Sequence, residues 1–320
     1  MFQESPRDPA FDGVLRAAAK IAAILPPTPL LPVDISGVSC WVKADNLQPV
    51  GAFKIRGAWH RLSDLSAAQR ARGVVGVSSG NHAQGVAWAA RKLGIAATIV
   101  MPRDAPAIKL DATRAMGAEV VLYDRPGEDR DAISQALCKQ RGAVLVHAYA
   151  DPWIIEGQGS AGIEIVRQLG EQPARIIACC GGGGLAAGLA LACPDAEIIP
   201  VEPSGWDDVA RSLATGTIVA VGDNPPPTTC DALQTPQTAP VNFAILKRRC
   251  SAGMTVTEEQ VRAAQRFAFA QLKLVLEPGG AVALAAALAG IVKLDEGTVI
   301  MLTGGNVDPR QFAAVITGKE

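Results

Sequence analysis

The sequence predicts an α/β protein made of two domains, each with a mostly parallel, open sheet covered by helices. The main observation is an order of elements that repeats along the chain: a short apolar strand, a glycine-rich turn and then a helix. Such β-α-β units indicate parallel strands with helices on the faces of the sheet. The second observation is length, because 320 residues are enough for two modest domains with separate cores.

The repeat is densest in the first half of the chain, where the strands are rich in valine and isoleucine. We assign residues 69–149 to a small, mobile domain, and residues 1–68 and 150–320 to a large domain. Predicted strands of the small domain are 73–77, 97–101, 119–123 and 143–146, and its predicted helices are 83–93, 107–116 and 128–140.

The same order returns after residue 160, interrupted by two proline-rich loops at 223–227 and 235–240. No internal repeat of longer period is visible. Predicted strands of this part are 175–179, 197–201 and 298–302, and its predicted helices are 160–169, 185–192, 258–273 and 281–289.

Composition argues against several classes of protein. Net charge is −1, from 30 basic and 31 acidic residues, and no basic stripe extends beyond the three residues 247–249, so we expect no nucleic-acid binding. The uncharged stretch 176–193 has about the length of a membrane span. Four glycines at 181–184 favour a turn in its middle, and we therefore predict no membrane segment.

The chain has seven cysteines, an odd number, with no CxxC spacing. We therefore expect reduced thiols packed as small core residues. Charged residues precede the first apolar run, which does not fit a secretory signal. Both observations favour a cytoplasmic protein.

Three turns at predicted strand ends carry polar or glycine residues, and ligands of open α/β sheets gather outside such ends. Residues 78–82 offer two serines, an asparagine, a histidine and the amides of a helix start, which favour an anion such as a carboxylate. Residues 181–184 are consecutive glycines, whose amides are able to converge on a phosphate. Residues 303–306 add a hydroxyl and two glycine amides.

A fourth feature is Lys54, which is flanked by the apolar Phe53 and Ile55. A lysine withdrawn from water has a lowered pKa, as an amine nucleophile requires. A surface lysine with a partly covered stem gives the same local pattern.

The glycine turn also fits a dinucleotide-binding fingerprint, since Gly181, Gly183 and Ala186 stand at the required spacing and Glu202 ends the next strand. An NAD-dependent dehydrogenase would therefore explain this turn. It would leave Lys54 and the other two turns unexplained, and we retain it only as a distant alternative.

The four motifs together resemble those of the fold-type II pyridoxal-phosphate (PLP) enzymes, specifically the threonine/serine dehydratase and serine racemase family. Residues 53–58 resemble the family's lysine motif and residues 79–85 its substrate loop. The glycine run resembles its phosphate loop, and residues 303–306 its ring-nitrogen loop. The resemblance covers about residues 29–308 and implies a tryptophan synthase β-like fold, a PLP cofactor and a homodimer.

Site residues follow from the resemblance by position. Lys54 would form the Schiff base with PLP and move the Cα proton, and Ser79 would stand on the opposite face of the substrate. Thr303 occupies the ring-nitrogen position, where serine is usual, and its hydroxyl is able to do the same work. The other assignments are Phe53 beside the ring, Asn81 at the ring hydroxyl, Gly181, Gly182, Gly183, Gly184 and Leu185 at the phosphate, and Ser78, Ser79, Asn81 and His82 at the substrate carboxylate.

A divalent cation is a further implication of the resemblance. Glu202, Trp206 and Asp208 match positions at which relatives bind one. Two carboxylates and the carbonyl oxygen of Trp206, completed by water, suit Mg²⁺, Ca²⁺ or Mn²⁺. A solvated acidic turn gives the same pattern.

The reaction implied is loss of water from a small β-hydroxy amino acid, followed by hydrolysis of the aminoacrylate product to a 2-oxo acid and ammonia. L-Threonine or L-serine is the first expected substrate. A 3-hydroxyaspartate dehydratase is an alternative that requires a cation near the β-carboxylate, for which Arg130 and His147 are candidates. A serine or aspartate racemase, with Lys54 and Ser79 on opposite faces, is another. Glu277 precedes a further glycine turn and is a candidate for a place near the cofactor.

Overall fold

The structure is a computed structural model that describes residues 7–125 and 127–319. It contains two α/β domains, each built around one open sheet. The outermost residues of the predicted large domain, 1–6 and 320, lie outside the described residues. The strands are β1 Leu30–Ile35, β2 Val38–Ala44, β3 Val74–Val77, β4 Ala97–Pro102, β5 Glu119–Tyr123, β6 Val144–Val146, β7 Arg175–Cys179, β8 Glu197–Pro203, β9 Met254–Val256 and β10 Thr298–Leu302. The helices are α1 Phe11–Ala22, α2 Ile55–Ser63, α3 Ala67–Arg72, α4 Asn81–Leu93, α5 Ala107–Ala115, α6 Arg130–Arg141, α7 Pro152–Leu169, α8 Gly184–Ala192, α9 Asp208–Thr215, α10 Pro240–Arg249, α11 Glu258–Phe267, α12 Pro278–Leu288 and α13 Pro309–Thr317.

The two sheets confirm the predicted mostly parallel architecture. The large sheet has the order β1-β2-β10-β7-β8-β9, and only its β1–β2 pair is antiparallel. The small sheet has the order β5-β4-β3-β6 with parallel pairs throughout. Its strands fall within residues 74–146. The domain boundaries near residues 68 and 150, and the mobility of the small domain, stay predictions.

Each sheet has its own core. In the large domain the central strands β7 and β10 are buried between helices that include α8 and α12. Both of these helices are rich in alanine, leucine and glycine, and small side chains allow close packing on a sheet that is covered on both faces. The small domain packs α4 against β3 and β4 around a second cluster that includes Val86 and Ile99.

The N-terminal segment contains elements that the β-α-β pattern did not predict. Strands β1 and β2 form a hairpin whose two turn residues, Ser36 and Gly37, have φ angles of 55° and 82°. This left-handed pair matches the right-handed twist of the two strands. Pro32 lies in β1, at the edge of the sheet, where a missing N–H is tolerated. The serine–glycine pair was the available signal for this turn.

Helix α7 begins eight residues earlier than predicted. Its first turn is capped by Asp151, which accepts hydrogen bonds from the N–H groups of Trp153 and Ile154 at 2.9 and 3.3 Å. The glycines in the early part of this helix lower helix propensity, but they allow close packing: a Cβ on Gly157 would lie 2.4 Å from the Cα of Gly57 in α2. Tertiary packing therefore overrides propensity here.

The predicted helix 258–273 is helical throughout most of its length but changes its pitch. The α-helix ends at Phe267 and continues as a π-helical turn, Ala268–Leu272. Lys273 follows in the left-handed region with φ 60°. The remaining predicted strands and helices are present with end shifts of a few residues.

The uncharged stretch 176–193 contains most of β7, the glycine turn and α8, as predicted. Among the described residues, no helix combines the length and apolarity needed to cross a membrane. The carboxyl ends of β3, β6, β7 and β10 lead directly into residues that line a single cavity. The two sheets therefore present their strand ends to one common site.

Candidate active site

One cavity brings together all of the residues that the sequence assigned to cofactor and substrate. The further candidates Arg130, His147 and Glu277 also line it. The assigned residues in its wall are Phe53, Lys54, Ser78, Ser79, Asn81, His82, Gly181, Gly182, Gly183, Gly184, Leu185 and Thr303. The geometry thus supports the grouping, while the role of each residue stays a prediction.

Lys54 lies immediately before α2, and its amine points at the end of β6. The Nζ atom donates a hydrogen bond to the carbonyl oxygen of Ala148 at 2.9 Å and lies 5.1 Å from the centre of the Phe53 ring. Burial lowers the pKa of Lys54 from 10.5 to about 8. At neutral pH a larger fraction of this amine is therefore uncharged than in an ordinary lysine, and a nucleophile requires the uncharged form.

The loop between β3 and α4 presents main-chain donors to the cavity. The N–H of Gly80 donates to Oγ of Ser78 at 3.0 Å. In the described part of the chain, the N–H groups of Ser79, Asn81 and His82 donate to no protein group. Free amides at a helix start form an anion site, and this one suits a carboxylate.

His82 contributes to this loop through its main chain rather than as a cation. Its Nε2 lies 2.9 Å from the carbonyl oxygen of Val146, a contact that requires a proton on Nε2. Burial and the nearby Lys54 lower the pKa of His82 to about 3. The ring is therefore neutral, and its Nε2 proton is already bound by the carbonyl oxygen of Val146. Only the backbone N–H of His82 is left to support the predicted binding of the substrate carboxylate.

The glycine turn between β7 and α8 forms a cradle that side chains would fill. A Cβ on Gly182 would lie 2.3 Å from the ring of Tyr149, and Gly183 has a left-handed φ of 86°. Within the described residues, the N–H groups of residues 181–185 have no acceptor. Unpaired amides at the N-terminus of α8 fit a phosphate group, and this cradle therefore fits the phosphate of PLP.

Thr303 follows β10 and is tied to the lysine segment. Its carbonyl oxygen accepts a hydrogen bond from the N–H of Phe53 at 3.0 Å, and its Oγ1 lies 3.1 Å from Sγ of Cys179. The neutral hydroxyl suits an unprotonated ring nitrogen. The contact with Cys179 is not predictable from the sequence, where the cysteines are expected only as small core residues.

Asn81 is held on both sides of its amide. Its Nδ2 donates to Oε1 of Glu277, and its Oδ1 accepts from Nδ2 of Asn306 at 2.9 Å. Glu277 also accepts from Nζ of Lys109 at 2.9 Å. Lys109 and its second partner, Asp231, were missed by the sequence analysis, since neither lies in a recognisable motif.

His147 and Tyr149 form the wall near Arg130. The Nδ1 of His147 accepts from the N–H groups of Tyr149 and Ala150 at 3.3 and 2.9 Å, so the neutral ring carries its proton on Nε2. Burial, together with Arg130 and Lys54, lowers the pKa of His147 to about 3. Among the described residues that line this side of the cavity, Arg130 is the basic side chain other than the two histidines and Lys54.

The residues assigned to a cation lie outside the cavity, behind the glycine turn. Glu202 accepts from the N–H groups of Val209 and Ala210 at 3.1 and 2.7 Å, and Asp208 accepts from the N–H of Thr238 at 2.7 Å. Burial raises the pKa of Asp208 to about 7 and that of Glu202 well above its usual range. In residues 7–125 and 127–319, no three His, Cys, Asp or Glu side chains are grouped so as to hold a metal ion.

Comparison with known proteins identifies the family. The family model for pyridoxal-phosphate dependent enzymes matches residues 21–304. The chain is 38% identical to the L-threo-3-hydroxyaspartate ammonia-lyase of Saccharomyces cerevisiae over 98% of both chains. The solved structure of T.th. threonine deaminase superposes with a TM-score of 0.86 at 39% identity, covering 94% of this chain and 99% of the other. Maize serine racemase superposes with a TM-score of 0.89 at 32% identity over 98% of both chains.

The sequence-based prediction of a fold-type II PLP enzyme is thereby confirmed, and the dehydrogenase alternative is set aside. The matched range includes the lysine segment, the small sheet, the glycine cradle and Thr303. The protein belongs to the family of pyridoxal-phosphate dependent enzymes.

Proposed function

We propose that the protein is an ammonia-lyase that eliminates water from a small β-hydroxy amino acid. Hydrolysis of the resulting aminoacrylate takes a water back up and releases a 2-oxo acid and ammonia, so the net change is the loss of ammonia. The prediction of a PLP-dependent ammonia-lyase agrees with the activities after which its relatives are named. The main support for the proposal is the wall of the cavity. The amine of Lys54, whose pKa is lowered, lines the same space as the anion site at residues 79–82 and the phosphate cradle at residues 181–185.

PLP, when bound, supplies the electron sink that makes the Cα proton of an amino acid removable. In this cavity Nζ of Lys54 is the group of suitable pKa to take that proton. The free amides of Ser79, Asn81 and His82 hold the substrate carboxylate. The neutral rings of His82 and His147 add no positive charge, which leaves the carboxylate to the main chain.

We further propose that the preferred substrate carries a second carboxylate, as 3-hydroxyaspartate does. Arg130 begins α6 and lines the cavity, half-buried, beside His147. No hydrogen bond or ion pair to its guanidinium is found among the described residues. An unengaged guanidinium is suited to bidentate binding of a carboxylate. This feature favours 3-hydroxyaspartate over L-threonine and L-serine, which have no such group.

A racemase is the second candidate function. Ser79 lines the same cavity as Lys54, and a racemase requires one proton-transfer group on each face of the substrate. Maize serine racemase has the same fold, which keeps this alternative open. Elimination and racemisation begin with the same loss of the Cα proton, and they differ in whether the β-hydroxyl leaves.

We also propose that Glu202, Asp208 and the main-chain oxygen of Trp206 bind Mg²⁺, with Ca²⁺ and Mn²⁺ as alternatives. The Oδ1 atom of Asp208 is buried without a partner in the described structure, and the carbonyl of Trp206 accepts no hydrogen bond there. A cation would satisfy both oxygens and offset the repulsion of two buried carboxylates.

A homodimer and a cytoplasmic location stay predictions. Light scattering of the purified protein tests the first of these.

The test is to measure 2-oxo-acid and ammonia release from separate substrates by the protein with PLP and Mg²⁺. L-threo-3-Hydroxyaspartate, L-serine, L-threonine and D-serine form the panel. We expect equal amounts of both products, with the highest kcat/KM for L-threo-3-hydroxyaspartate. Chiral chromatography of the same reactions monitors racemisation. Inversion of L-serine or D-serine without any 2-oxo acid from the panel would overturn the lyase in favour of the racemase.

A further inference from the structure

We propose that Lys109 is a positioning residue of the cofactor site, which fixes the amide of Asn81 through Glu277 and joins the small domain to the large one. Lys109 belongs to α5, whereas Asp231 and Glu277 belong to the large domain. The inference requires only that PLP binds in the cavity, and it is independent of whether the reaction is elimination or racemisation.

The first observation is that the ammonium of Lys109 is buried between two carboxylates. Its Nζ lies 2.8 and 3.0 Å from the two oxygens of Asp231 and 2.9 Å from Oε2 of Glu277. Lys109 and Glu277 are each 1% exposed. Burying an ammonium is costly unless its donors are satisfied, and here all three have an acceptor. The contact therefore holds only while the two domains are together.

The second observation is that the stem of Lys109 supports the substrate loop. A Cβ on Gly80 would lie 2.3 Å from Cδ of Lys109, so only glycine allows the loop to pack this closely. Gly80 immediately precedes Asn81, the first residue of α4. The side chain of Lys109 thus contacts the substrate loop with its methylene stem and the large domain with its ammonium group.

The third observation concerns the hydrogen bonds of Asn81. Since its oxygen accepts from Asn306 and one N–H donates to Glu277, the other N–H of its amide is the group left for the cavity. A donor in this place suits a negatively charged oxygen. Were the amide to turn around, it would present an acceptor instead and repel such an oxygen.

The charge of Lys109 keeps this arrangement in place. Burial and the neighbouring Asp231 raise the pKa of Glu277, and Lys109 opposes that shift. An ionised carboxylate only accepts hydrogen bonds, which forces the donor side of the Asn81 amide towards it. Without the ammonium, Glu277 would take up a proton and become able to donate, and the amide of Asn81 would lose its preferred orientation.

Lys109→Met tests the inference, because it keeps most of the stem and removes the charge. We expect PLP to bind at least about tenfold more weakly, the value of one hydrogen bond to a charged group. We also expect a change in the ratio of the visible absorption bands of bound PLP, which reports protonation of the cofactor. Lys109→Arg should restore both. These readouts need no turnover, so they remain informative if the lyase proposal fails.

Lys43→Met is the matched control. Lys43 is equally buried, and it pairs with Glu164 at 2.7 Å in the core of the large domain, outside the cavity wall. This variant should lose thermal stability while its bound PLP keeps the original spectrum. If Lys109→Met fails to fold, Lys109→Gln carries the same test. An unchanged PLP affinity and spectrum in a folded, uncharged Lys109 variant would overturn the inference.

Discussion

The Sγ atom of Cys179 lies 3.1 Å from Oγ1 of Thr303, where β7 and β10 end beside each other in the cavity wall. Burial raises the pKa of the Cys179 thiol to about 11, so the thiol keeps its proton and is able to donate it to Thr303. The hydroxyl hydrogen of Thr303 is then available to a ring nitrogen. The thiol of Cys179 therefore lies within hydrogen-bonding distance of the hydroxyl that the sequence assigned to PLP.

Two substitutions of Thr303 distinguish the contribution of its hydroxyl to PLP binding from the contribution of its shape. Thr303→Val removes the hydroxyl and should weaken PLP binding by about tenfold, whereas Thr303→Ser should stay within about threefold of the original. Fluorescence titration of the apoprotein measures both. Cys179→Ala, which removes the sulfur partner of this hydroxyl, should fall between them. Equal affinities of Thr303→Val and Thr303→Ser would argue against any bond from this hydroxyl to the ring.

The pKa of Lys54 sets the pH at which PLP is captured. Because the neutral amine is the nucleophile, the rate constant for PLP binding to the apoprotein should rise with pH and level off above about 8. Stopped-flow absorbance at a series of pH values measures this dependence. A midpoint near the ordinary lysine value of 10.5 would show that burial does not lower the pKa of this amine.

Arg130 should discriminate between substrates. Arg130→Ala is expected to raise KM for 3-hydroxyaspartate by about 10- to 100-fold, as loss of a charge-assisted pair implies, with little effect on serine turnover. Arg141→Ala is the control, since Arg141 ends the same helix but pairs with Glu119 at the surface. A proportional loss for both substrates in Arg130→Ala would assign this arginine to folding rather than to substrate choice.

The two carboxylates behind the glycine turn predict a stability that depends on pH and on cations. The folded-state pKa of Asp208 is raised from 3.8 to about 7, so its contribution is present below pH 3.8 and is lost as pH rises through about 7. The metal-free protein should therefore lose stability over this range. Added Mg²⁺ should raise Tm by roughly 5 °C above this range, and by much less below it.

Asp208→Asn provides the control for this effect. The amide is uncharged at every pH, so it should abolish the response to Mg²⁺ and remove the part of the stability loss that comes from Asp208, while the part that comes from Glu202 remains. Differential scanning fluorimetry compares the two proteins. An equal response to Mg²⁺ in Asp208→Asn would place the cation elsewhere.

The cavity was predictable from sequence because its main parts are short and local. The lysine, the glycine run and Thr303 each carry their chemistry in consecutive residues, and the strand ends of parallel sheets bring such segments together. The first turns of α7 were missed because their formation depends on partners distant in the chain, whereas the N-terminal hairpin was missed although its serine–glycine turn is a local signal. The close approach of Gly157 to Gly57 is one such partnership.

The interaction between Lys109 and Glu277 was not predictable for the same reason. The two residues are 168 positions apart, and an ion pair across two domains leaves no periodic or local signal. The neutral state of His82 was hidden as well, since it depends on the carbonyl of Val146 and on burial. Sequence motifs therefore named the groups at the site, while their protonation and orientation required the fold.

Reduction of the holoenzyme with borohydride tests whether Lys54 is the residue that binds PLP covalently. The reagent fixes PLP to any amine with which it forms an imine, and peptide mass spectrometry then locates the label. We expect the mass of the cofactor on the peptide that contains Lys54, and no label in Lys54→Ala. A label on the peptide that contains Lys109, or no label on the intact holoenzyme, would rule out Lys54 as the lysine that forms the imine.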